Sequence, residues 1–141
     1  MELLYVTTYN GMIIDTLICI NGLYDIVCSV CILYFPYTHL GKLHISCFRH
    51  GRVCGAFNRA LAYWIFTYGA VRAASGFRTS KLGYILSCIT YAIEATAYFN
   101  ETEIVKSCQK VKGRFVWTVS ILFAFLSWSA QSVIPNPAPA P

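Results

Sequence analysis

Residues 12–35 read MIIDTLICINGLYDIVCSVCILYF, a run of 24 residues whose only charges are Asp15 and Asp25. A bilayer's hydrocarbon core is ~30 Å thick and needs ~20 predominantly apolar residues to cross it as a helix. The run meets that length, and Pro36 ends it by removing a backbone donor and clashing with the preceding turn. No basic segment precedes the run and Asp15 interrupts it. It is therefore expected to act as an uncleaved signal-anchor rather than a cleaved leader.

Three further runs lie downstream, at residues 55–74, 82–99 and 115–133. The formal charges within the four runs are Asp15, Asp25, Arg59, Arg72 and Glu94; all others lie between or outside them. Composition agrees. The 141 residues are 57% apolar, 16% aromatic and 12% charged, with mean hydropathy +0.54. A soluble domain averages about 45–50% apolar and about 25% charged. The balance excludes an ordinary soluble domain, a disordered chain and a collagen-like fibre. Seven cysteines, an odd number, with Cys19, Cys28, Cys31 and Cys88 inside apolar runs, do not make a disulfide framework.

Only a helix satisfies its own backbone in hydrocarbon without closing into a barrel. The expected fold is all-α: a polytopic membrane protein with one four-transmembrane-helix bundle over residues 1–134 and a Pro/Ala-rich extended tail at 135–141. Residues 82–99 are the shortest run and carry Glu94. The alternative is a three-span protein in which that run is a buried or re-entrant helix.

Basic residues divide eight to three between the two sides. Lys42, Arg49, Arg52, Arg59, Lys106, Lys110, Lys112 and Arg114 fall on one side, and Arg72, Arg78 and Lys81 on the other. The positive-inside rule places both long connections in the cytosol or its equivalent. The sequon Asn100-Glu101-Thr102 then faces the wrong side and is read as coincidental. Residues 37–54, which mix apolar, basic and histidine residues, read as an interfacial segment. Asn100 with Glu103 resembles a capping box for a short helix whose acids precede its bases.

Each ionisable residue in the membrane is expected to have a partner. Counting residues from the span ends pairs Asp15 with Arg72 and Arg59 with Glu94, unless Arg72 snorkels to the surface. Asp25 is left near mid-membrane without a cation. One reading of Asp25 and Glu94 is a proton or ion path; the other is structural pairing that fixes helix register. Gly69 and Ala73 form a small-xxx-small pair, with Ala62, Ala70 and Ala74 adding small faces for close helix approach.

His39, His44, Cys47, His50 and Cys54 cluster in one connection. His44, Cys47, His50 and Cys54 are the candidate metal ligands, but their spacing matches no defined site. Cys28 and Cys31 have the spacing of a redox pair but lie within the first span, where a thiol packs as a small apolar group. No phosphate loop, nucleophile elbow or catalytic carboxylate pair occurs, so neither an enzyme nor a cofactor is indicated. The net charge of +5 reads as basic loops drawn to anionic lipid, not as a nucleic-acid surface.

Arg59, Trp64 and Arg72 form an R-x4-W-x7-R pattern, followed by Leu82-Gly83-Tyr84 and then by Glu94 with Tyr98 four residues on. This resembles the family of the ergosterol biosynthetic protein 28, over about a third of the chain. The resemblance implies a four-span, non-catalytic scaffold of the endoplasmic reticulum that tethers the enzymes of sterol C-4 demethylation. The Cys/His-rich first connection and the Pro/Ala tail depart from that family's pattern.

The expected function is thus a membrane scaffold or accessory subunit. Its partners would be other integral membrane proteins and membrane lipids, anionic or sterol. One alternative is a structural subunit of a respiratory, ATP synthase or viral membrane assembly, placed in the mitochondrial inner membrane or a viral internal membrane. The other is a small proton or ion carrier using Asp25 and Glu94.

Overall fold

A computed structural model describes residues 2–48, 55–77 and 80–133. The described residues are almost wholly helical, with no strand among them. The elements are α1 (Glu2–Tyr34), α2 (His39–Ile45), α3 (Gly55–Phe77), α4 (Lys81–Phe99), a π-helical turn (Asn100–Ile104) and α5 (Lys110–Val133).

Local chemistry sets the boundaries. Pro36 follows the end of α1, and Thr38 caps α2 by accepting from the Gly41 amide at 3.2 Å. Ser80 caps α4 in the same way, accepting from the Gly83 amide at 3.0 Å. The expected capping box at Asn100 is corrected. Helix α4 runs through Asn100 without a break and widens into the π-helical turn, so Asn100 ends a helix instead of starting one. Lys106, with φ of 61°, then reverses the chain before α5. Arg114 reaches back to Glu103, its Nε donating at 2.6 Å.

Helix α3 packs antiparallel along α1, and α5 along α4; contact between α1 and α5 is sparse. Gly22 and Gly69 face each other across the first pair. A Cβ on Gly69 would lie 2.7 Å from the Gly22 carbonyl, and one on Gly22 would collide with the Ala73 amide. The small residues at Gly69 and Ala73 therefore admit α1 to backbone contact. Ser29 adds a bond across the same interface, donating to the Ala62 carbonyl at 2.8 Å. The two connections meet at one end of the bundle. The Gln109 amide donates to the Cys47 carbonyl at 2.7 Å, and Phe48 bridges Cys108.

The outer faces are apolar, and several polar side chains are buried within the apolar core. Met12, Ile20, Val27, Ile89, Ile121 and Phe125 are exposed, whereas Asp25, Arg72, Ser29, Ser87 and Ser127 are buried. That is the arrangement a hydrocarbon solvent demands. Three helical segments are long and apolar enough to cross a membrane: Gly11–Tyr34, Lys81–Ile104 and Lys110–Gln131. The run expected to be weakest, around Glu94, is among them. The segment that falls short is α3, which carries Arg59 and Arg72.

Candidate functional site

Asn21 and Asp25 lie one turn apart on α1 and so project from one face. Arg72 comes to them from α3, and Thr90, Tyr91 and Glu94 from α4. Its guanidinium is bonded through every nitrogen. Nη1 donates to Asp25 Oδ2 and Nη2 to Glu94 Oε2, both at 2.7 Å, while Nε donates to Thr90 Oγ1 at 3.1 Å. Nη1 also lies 3.5 Å from Asn21 Oδ1. The Thr90 hydroxyl gives its own proton to the Ser87 carbonyl at 2.8 Å, which leaves a lone pair for Arg72. Tyr91 stacks under the guanidinium at 3.8 Å and donates to Asn21 at 2.7 Å. From α5, Ser120 donates to Glu94 at 3.1 Å. Side-chain exposures of 1% for Arg72, 6% for Asp25 and 13% for Glu94 put the cluster in the bundle interior.

The pairing differs from the one expected from depth alone. Arg72 holds Asp25 and Glu94, and it does not snorkel. Helical side chains lean toward their own N-terminus, so the guanidinium swings from the end of α3 toward the bundle's middle, near Tyr68. Asp15 is level with Gly76, a turn farther out, and lies beside Tyr84 on α4. Glu94 is deeper than its distance from Phe99 implies, because the helix continues to Ile104. Arg59 is exposed on the first turns of α3 and is not the partner of Glu94. Asp25, left without a cation by the sequence, is thus ion-paired.

The other residues singled out in the sequence are dispersed. Trp64 packs on the cluster of Ile32, Ile45, Leu61, Ala62 and Ile65, and Tyr98 is buried with Cys47 and Cys108. Cys28 is fully buried. Of the candidate metal ligands, His44 and Cys47 border one cavity, and His50 and Cys54 lie outside the described residues; His39, from the same connection, is exposed. Burial pushes the Cys47 thiol up to about 11. Among the described residues no three His, Cys, Asp or Glu side chains stand together as a metal site requires. The tail at 135–141 also lies outside the described residues.

Where α1 and α5 diverge, they leave a cavity of about 400 Å³. Asp25, Glu94, Arg72 and Ser120 form its polar end. Val116, Val119 and Phe123 of α5 supply an apolar wall, and Leu43, His44 and Lys112 stand on the side of the two connections. Lys112 Nζ donates to Ser46 Oγ at 2.8 Å. The His44 Nε2 has no hydrogen-bond partner, and burial pushes the imidazole below its ordinary value, favouring the neutral ring. The arrangement suits binding and helix fixation. The acids Asp25 and Glu94 are engaged by one cation.

Sequence reasoning missed Asn21, Thr90, Tyr91 and Ser120. Asn21, a polar residue one turn before Asp25 in an apolar run, was the available signal; the others depend on how α4 and α5 rotate. Compared with known proteins, the chain matches no family model, no curated protein and no solved structure.

Proposed function

We propose that this chain is a four-span, non-catalytic scaffold or accessory subunit that organises partner proteins in a membrane. The observation that carries this reading is the closed Arg72 cluster. Asp25 and Glu94, the acids a carrier would use, are both bound to one guanidinium that joins α1, α3 and α4. Carriers instead place their ion sites at interrupted helices near mid-membrane, and α1 runs unbroken through Asp25. The apolar outer faces of α1, α4 and α5 are open to lipid or to partner helices.

Helix α3 is taken as the fourth span. The ends of α2 and of the α4–α5 connection are hydrogen-bonded together, so α1 finishes where α5 starts. Helix α4 starts at the opposite end, and α3 must travel the bundle to reach it. Of its two cations, Arg72 is neutralised inside, which removes part of the cost of its low hydropathy, and Arg59 lies exposed on its first turns.

The resemblance to the ergosterol biosynthetic protein 28 family supplies the partner class, sterol-modifying enzymes of the endoplasmic reticulum. The test is purification of the tagged full-length chain in a gentle detergent, with identification of what accompanies it. Integral membrane proteins in fixed ratio are expected. Sterol-oxidising or sterol-reducing enzymes among them support the sterol assignment, and a single large complex makes the chain a structural subunit of another assembly. Recovery as a clean oligomer that carries protons into vesicles, with flux lost in Glu94→Gln, overturns the scaffold reading.

A further inference from the structure

We infer that the cavity between α1 and α5 binds one uncharged, single-chain amphiphile with a hydroxyl head, drawn from the surrounding bilayer. This stands apart from the scaffold reading, since it concerns the inside of the bundle and not its partners.

Size comes first. About 400 Å³ falls in the range of small-molecule sites, about 300–1,000 Å³. The lining chemistry comes second. Every Arg72 nitrogen already has a partner within the protein, so the polar end has little to donate. What it presents is carboxylate oxygen from Asp25 and Glu94, since the Asn21 amide oxygen already accepts from Tyr91 and Arg72. The complementary head is a donor, and a hydroxyl donates to carboxylate at the strength of a charge-assisted bond. The Val116, Val119 and Phe123 wall takes a chain.

Charge decides between donors. Two carboxylates, Asp25 and Glu94, are balanced by two cations, Arg72 and Lys112, and the buried His44 ring is held toward neutrality. An ammonium or carboxylate head would bring an unbalanced charge into a poorly solvated site, which is costly. An alcohol brings none. Access comes last. Leu43, Val111 and Phe115 border the cavity and are exposed, so its mouth is apolar at the level where a bilayer amphiphile would enter.

The test is titration calorimetry on the full chain in lipid-free detergent with three probes of identical chain: monooleoylglycerol, oleic acid and oleylamine. Monooleoylglycerol is expected to bind one per chain, about tenfold more tightly than the other two, a difference of about 1.4 kcal/mol. Lys112→Gln leaves the lining one positive charge short and is expected to shift preference to oleylamine. Val119→Trp fills the cavity and is expected to abolish binding. Equal binding of all three probes by the native chain overturns the inference. So does a preference for a charged head, or Lys112→Gln leaving the order of preference unchanged in a protein that melts normally.

Discussion

At the scale of single residues, Arg72 dominates. Guanidinium is the cation best suited to this position because its planar fork meets two carboxylates at once and stacks on an aromatic ring. Arg72 does all of this, between Asp25 and Glu94 and over Tyr91. Removing one member of a buried ion pair strands the other charge and costs about 3–5 kcal/mol. Arg72→Met is therefore expected to lower the detergent melting temperature sharply, and Arg72→Met with Asp25→Asn and Glu94→Gln to recover most of the loss. A double-mutant cycle separates the two pairing schemes. Arg72 and Glu94 should couple by about 0.5–3 kcal/mol, and Arg59 and Glu94 should be additive. Coupling confined to Arg59 and Glu94 would overturn the assignment.

Among the elements, the tightest joint is α1 against α3. It rests on glycines, where the backbones come closer than any Cβ allows. Forcing a side chain between packed helices costs about 1–3 kcal/mol, more when the obstacle is backbone. Gly22→Val and Gly69→Val are each expected to destabilise by at least that much and to loosen the Arg72 cluster, which the same joint aligns. Gly11 has nothing within 4 Å of the position a Cβ would take. Gly11→Ala should be neutral or slightly stabilising, since Ala is the better helix former by about 1 kcal/mol. Melting of the three variants in one detergent checks the contrast; equal effects would mean that α1 and α3 are not in backbone contact.

For the whole molecule, the bond between Gln109 and Cys47 ties together two connections that are more than fifty residues apart in sequence. It requires Lys42 and Lys110 on one side of the membrane. If α3 spans, Gly76 lies on the other. Single cysteines at these three positions, in a chain otherwise freed of cysteine, should react with an impermeant maleimide from two different sides of sealed vesicles. Four spans put Lys42 and Lys110 together with Gly76 opposite; Lys42 and Gly76 labelled from one side and Lys110 from the other would make α3 a surface helix and the bundle a three-span one, and would overturn the Gln109–Cys47 contact as well. The charge distribution also bears on this, because among the described residues Lys42, Arg59, Lys106, Lys110, Lys112 and Arg114 gather toward the connection end.

Much of this was legible without coordinates. Apolar runs declare spanning helices because hydrocarbon leaves the backbone no other partner, so the all-helical class and the places of α1, α4 and α5 follow from residue order. The need for intramembrane charges to be paired was equally plain. Which charges pair was not. Depth counted from span ends assumes that helices begin and end with the apolar runs. Here the π-helical turn extends α4, the glycine contacts set the register of α1 on α3, and the lean of the Arg72 side chain moves its charge toward mid-bundle. These are properties of helices against one another. The cavity between α1 and α5 is of the same kind, because a gap exists only once four helices have chosen their rotations.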